Sequence, residues 1–140
     1  MSALIGVATF MAISPGTASA ARGNYRCDRG EFCLGQFYHL TGGVYDNPGS
    51  DADLRNDRYT YYSDPTKNPF VAYASRGNSW SAHNNGNRFD VMVYTWPGYT
   101  GYKACIVRGR KLDLPSDWKD RIMSFRWITR SECNASGRLL

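Results

Sequence analysis

Acid–base chemistry in this chain would have to be assembled from two histidines, His39 and His83, and from Glu31, Glu132 and ten aspartates. Their pattern does not assemble it. The histidines fall in separate halves of the chain, no His-Glu-x-x-His run offers a zinc site, and no nucleophile triad is spelled out. A glycosidase would need two carboxyl groups set apart for acid and base roles, and no spacing singles out a pair. The residues therefore predict a protein that is not an enzyme and carries no cofactor.

The other reactive side chains are Cys27, Cys33, Cys105 and Cys133. An even count in an exported chain predicts disulfides. Four cysteines allow three connectivities, and joining neighbours, Cys27 with Cys33 and Cys105 with Cys133, avoids crossed loops. Zinc is the competing reading. The Cys27/Cys33 spacing is wider than a CxxC knuckle and no histidine stands nearby, so no metal site is expected. The 17 basic residues against 12 acidic give a net charge of +5. Arg108, Arg110, Lys111, Arg121, Arg126 and Arg130 read as a solvated face, and nucleic acid is not an expected partner.

These residues need elements to hold them. Residues 3–13 are apolar and precede the small-residue run Ala18-Ser19-Ala20, which predicts a signal peptide over 1–20 and a secreted, extracellular domain over 21–140. The apolar run is too short to span a bilayer, so no membrane association is expected after cleavage, and a monomer is expected. Short β-branched or aromatic runs at 31–34, 70–74, 90–94 and 123–128, bounded by Gly, Asn, Asp and Pro, predict a mostly β domain. Residues 115–121 could form one helical turn.

The chain also repeats. A shift of 59 positions lays Gly35 on Tyr94, Phe37 on Trp96, Leu40 on Tyr99 and Gly42 on Gly101. Farther on a shift of 45 lays Ser79 and Trp80 on Ser124 and Phe125, which puts extra residues of the first half in an exposed loop over 50–69.

Tyr94-Thr95-Trp96-Pro97-Gly98-Tyr99-Thr100-Gly101 reads aromatic, four residues, aromatic, one residue, glycine. This resembles the βγ-crystallin Greek-key signature, in which a folded hairpin bends over its sheet. The resemblance implies that Tyr94 and Tyr99 pack beneath the hairpin and that Gly101 takes a conformation closed to other residues. It also implies that Ser124 bonds the hairpin. Gly42 and Ser79 are the matching positions of the first copy, where Gly35 and Leu40 replace the aromatics. The fold so implied is a single all-β sandwich of two small antiparallel sheets with two disulfides. The family's calcium sites need acidic and hydroxyl ligands; Lys119 and Met123 replace two of them beside Asp120 and Ser124, which opposes a cation.

A closer resemblance is to peptidase inhibitor family I36, secreted actinobacterial proteins with one such domain and two disulfides. It is carried by Cys27 to Leu34, by Gly77-Asn78-Ser79-Trp80, by Tyr94 to Gly101 and by Asp120 to Phe125. It implies inhibition of a secreted thermolysin-like zinc metalloprotease. In that branch the bond shown to the protease is a half-cystine followed by an aliphatic residue, which Cys105-Ile106 matches. The implied mechanism is a disulfide-held, substrate-like loop with Cys133 as clamp, and Ile106→Asp would abolish inhibition with the fold intact. The alternative is a non-inhibitory binding or killer-toxin-like module, with Tyr59, Tyr61, Tyr62 and Trp118 facing a ligand.

Overall fold

The computed structural model describes residues 23–24, 26–57 and 79–140. The expected strand at 70–74, the aromatics Tyr59, Tyr61 and Tyr62, and the 1–20 segment lie outside the described residues. The strands are β1 (Phe32–Gly35), β2 (Val44–Asn47), β3 (Ser81–Asn84), β4 (Asp90–Trp96), β5 (Thr100–Ile106), β6 (Lys111–Asp113) and β7 (Ser124–Ile128), followed by a short helix α1 (Arg130–Asn134). They form two antiparallel sheets, ordered β2-β1-β3-β6 and β5-β4-β7.

Period-two alternation decides which side chains meet between the sheets. Phe32 and Leu34 from β1, Val91 and Val93 from β4, and Ala104 and Ile106 from β5 are all fully buried in one core with Phe125, Leu54 and Ile122. The intervening residues Met92, Tyr94 and Cys105 point the other way. They form a second cluster with Ile128 and Cys133, on the far side of the smaller sheet. Helix α1 brings Cys133 there. Thr129 caps it, accepting from the Glu132 N–H while the Glu132 carboxylate accepts from the Thr129 N–H. This Thr-x-x-Glu capping box is the helix signal that the reading of the sequence passed over. Residues 115–119 close a single turn, with the Lys119 N–H donating to the Pro115 carbonyl.

Each sheet borrows from the other half of the chain. Strand β6 follows β5 in sequence but pairs with β3 of the larger sheet. In exchange Asp51, from the first half, bridges to Phe125 of β7 through bonds of 2.9 and 2.8 Å. The exchange locks the two sheets face to face.

The internal repeat is visible bond by bond at the shift of 59. In the β1–β2 hairpin the Gln36 side chain accepts from the Gly43 N–H and Thr41 Oγ1 donates to the Tyr38 carbonyl. In the β4–β5 hairpin the Thr95 hydroxyl accepts from the Tyr102 N–H and Thr100 Oγ1 donates to the Pro97 carbonyl. Leu40 and Tyr99 both adopt positive φ, at 58° and 62°. Gly42 and Gly101 follow at 75° and 82°, and a Cβ on either would strike an aromatic ring, Phe37 or Trp96.

The serine that ties each hairpin to its sheet corrects one expectation. Ser124 Oγ accepts from the Tyr99 N–H at 3.1 Å and donates to the Trp96 carbonyl at 2.6 Å. Its counterpart is Ser81, which accepts from the Leu40 N–H at 2.9 Å and donates to the Phe37 carbonyl. Ser79 does neither; its hydroxyl is buried without a partner among the described residues. The second shift is therefore 43, set by Ser81 and Ser124, and not 45. A slip of two residues keeps every side chain on its own face of the strand, so alternation does not separate the two registers and only the pairing decides.

Candidate functional site

Strand β5 is half buried and half open. Its first four residues, Thr100 to Lys103, are exposed, and its last three, Ala104 to Ile106, have no exposure at all. β5 lies at the edge of its sheet, so only one side of its backbone is paired with β4. At Cys105 the backbone N–H and C=O face away from β4. They are taken instead by the segment after α1: Cys105 N–H donates to Arg138, and Leu140 N–H donates to the Cys105 carbonyl, both at 2.9 Å. By the same alternation Lys103, two residues earlier, turns its backbone outward, where no strand among the described residues pairs with it.

The 138–140 segment is fastened where it crosses the edge. Arg138 pairs with Asp117 at 2.7 Å and lies over the Trp118 ring. That guanidinium holds the Asp117 carboxyl below its ordinary range. Beside it Thr95, Tyr102, Lys103, Asp117, Trp118 and Arg121 line an open recess of about 370 Å³. Tyr102 stands out of this edge at 73% exposure.

The two disulfides are Cys27–Cys33 and Cys105–Cys133. The second ties β5 to α1 beneath the second cluster. It also closes the one group of potential metal ligands among the described residues, Asp90 with Cys105 and Cys133, since bridged sulfurs are not thiolates.

The bond expected to face a protease is not presented. Cys105 and Ile106 are fully buried, the Cys105 carbonyl is bonded to Leu140, and the Ile106 carbonyl accepts from Asn84 Nδ2 at 2.9 Å. Alternation around Cys105 reads the same for a presented loop as for a half-buried strand, which is why sequence did not separate them. Ile106 lies in the main core, so Ile106→Asp would put a carboxylate among apolar side chains and unfold the domain instead of sparing it.

The remaining expected residues divide clearly. Tyr94 is buried against Tyr99, with ring centroids 5.8 Å apart, and its hydroxyl accepts from Arg126. Trp118, expected to face a ligand, is buried in the core at 3% exposure. Lys119 is committed to Tyr38 and to the Trp80 ring, and Asp120 accepts from Trp80 Nε1. His39 pairs with Asp113, while His83 is half-buried beside Lys111, and burial with that neighbouring cation lowers its pKa.

In a comparison with protein families, the model of peptidase inhibitor family I36 matches residues 20–106 of the 140. The chain belongs to peptidase inhibitor family I36. The match takes in both folded hairpins and ends with the last residue of β5. No curated protein matches the chain. Membership in an inhibitor family means that a peptidase is the partner and that this chain is not itself an enzyme. No helix among the described residues is long and apolar enough to cross a membrane.

Proposed function

We propose that this I36 member is a secreted, monomeric inhibitor of a thermolysin-like zinc metalloendopeptidase, built on paired hairpins of the βγ-crystallin Greek-key kind, and that it meets the protease along the open half of β5. The observation that carries the reading is the contrast within that strand. Tyr102 and Lys103 are exposed and extended, while the next residues are frozen by the core, the Cys105–Cys133 bridge and the 138–140 segment.

Endopeptidase clefts take their substrates as extended strands. A strand already extended by its own sheet has little ordering left to lose on binding. Tyr102 offers the bulky side chain that thermolysin-like enzymes accept on the amine side of a scissile bond. The protease finds a substrate-like edge but cannot draw β5 further into its cleft, because the next carbonyls are already bonded and their side chains fill the core. Occupancy without turnover follows.

The test is a titration of the purified protein against thermolysin-like and serine endopeptidases. The zinc enzyme alone should be inhibited. Tyr102→Ala should raise the inhibition constant by about tenfold or more with unchanged melting, since the ring is exposed. Unchanged inhibition in that variant would place the contact elsewhere, and selective inhibition of the serine enzyme would overturn the target class.

A further inference from the structure

A second site lies at the opposite kind of surface, one built of donors and rings. Pro48, Gly86, Asn87, Arg88, Phe89 and Trp127 line an open groove of about 340 Å³, with no lining residue in common with the recess beside β5. The floor is fixed. Trp127 Nε1 donates to the Pro48 carbonyl at 3.0 Å, and its ring packs so closely on Gly86 that a Cβ there would sit 2.6 Å from it. Phe89 is 42% exposed beside it, under the Arg88 guanidinium at 5.5 Å.

Asn87 is clamped from two sides, by Arg29 on its side-chain oxygen at 2.8 Å and by Arg108 on its carbonyl at 3.1 Å. Both oxygens of Asn87 are thus taken by arginines. Arg29 itself is held by the Cys27–Cys33 loop, which is bonded to Asn85 through Gly30 and Cys27. Among the described residues, the carboxylates in ion pairs face Arg55, Arg126, Arg130, Arg138 and His39; none is paired with Arg29, Arg88 or Arg108. The groove thus offers donors and no acidic side chain, above a rigid aromatic floor.

We propose that this groove binds an anionic polysaccharide, its carboxylate, sulfate or phosphate groups on the arginines and a sugar ring on Phe89 and Trp127. The anionic groups only accept and a guanidinium only donates, and the apolar face of a pyranose suits the two rings. The site does not depend on the protease reading.

The experiment is calorimetric titration of the intact protein with a heparin hexasaccharide, a neutral chitin hexasaccharide and poly-glutamate. Heparin should bind and the neutral glycan should not, with poly-glutamate weaker by about fivefold or more for want of rings to stack. Arg88→Ala should weaken heparin binding about tenfold and Phe89→Ala about fivefold, both with unchanged melting. Absence of heparin binding overturns the proposal. So does equal affinity for poly-glutamate, or a Phe89→Ala variant that binds as well as the parent, because either would leave only an unspecific basic face.

Discussion

The two folded hairpins share their backbone and differ in what lies over them. Both close with the same serine, the same side-chain acceptors and the same left-handed residues. Under the second, Tyr94 and Tyr99 pack together on a sheet face covered by α1 and the Cys105–Cys133 bridge. At the first, Gly35 stands where Tyr94 would, and a Cβ there would meet the Leu40 backbone at 2.7 Å and Ser81 Oγ at 2.4 Å. The folded hairpin is thus a backbone device held by a hydroxyl. The aromatics belong to it only where a covering layer gives them something to fill.

If the cover is what stabilises the second hairpin, removing its bridge should have the largest effect. Replacing Cys105 and Cys133 by Ser releases a 28-residue separation and should cost about 3.6 kcal/mol, against about 2.2 kcal/mol for the 6-residue separation of Cys27 and Cys33. Urea melts of the two double variants measure both. Equal losses would mean that α1 holds the second cluster without its bridge.

Next comes a direct attempt to make the first hairpin resemble the second. Gly35→Ala should cost about 1–3 kcal/mol, because the Leu40 backbone, 2.7 Å from the added Cβ, cannot swing aside as the Ser81 hydroxyl can. Gly98→Ala, on the second hairpin where no atom lies within 4 Å, should cost only the strain of its positive φ, about 1 kcal/mol. A smaller loss at 35 than at 98 in thermal melts would show that the first hairpin can loosen to accept a side chain.

Much of this was legible beforehand, for identifiable reasons. Period-two runs and turn residues announced the strands, and an even cysteine count with uncrossed neighbours announced the bridges that the structure has. The shift of 59 was readable because hairpin geometry demands glycine and small hydroxyls at fixed offsets. The serine register was not, since Ser79 and Ser81 are equally plausible in sequence and only strand pairing decides which hydroxyl reaches the bend. Nor was the burial of Cys105–Ile106. It depends on Arg138 to Leu140 returning to the β5 edge, a contact between segments more than thirty positions apart with no local signature.

The serines allow a cleaner version of the comparison. Ser81→Ala and Ser124→Ala each strand a backbone N–H and a carbonyl at a bend, and each should cost about 1–3 kcal/mol. Ser79→Ala should be close to neutral, because its buried hydroxyl has no partner to lose among the described residues. If Ser79→Ala proves the costlier of the first-half pair in urea titrations, the register of 45 is restored.

The smallest effect separates the two halves by charge. Glu31 and Asp90, again 59 positions apart, are buried acids leading into β1 and β4. Each accepts a backbone N–H, from Asp28 and from Arg108, but only Asp90 has a cation, Arg130 at 2.8 Å. Glu31 instead has burial against it, with Asp46 and Asp28 adding their charges, and these raise its pKa to about 7 despite the bond from Asp28. The folded state then holds this proton more tightly than the unfolded chain, whose glutamate titrates near 4.5. Its contribution is fully present below that lower value and is lost as pH rises toward 7. Melting temperature should therefore fall by a few degrees across that window from this group, and Glu31→Gln, which mimics the protonated side chain, should remove that part of the slope and be the more stable form at neutral pH. A parent and variant with parallel melting curves from pH 5 to pH 7.5 would show that Glu31 is ionised throughout and that the first half has found a counter-charge of its own.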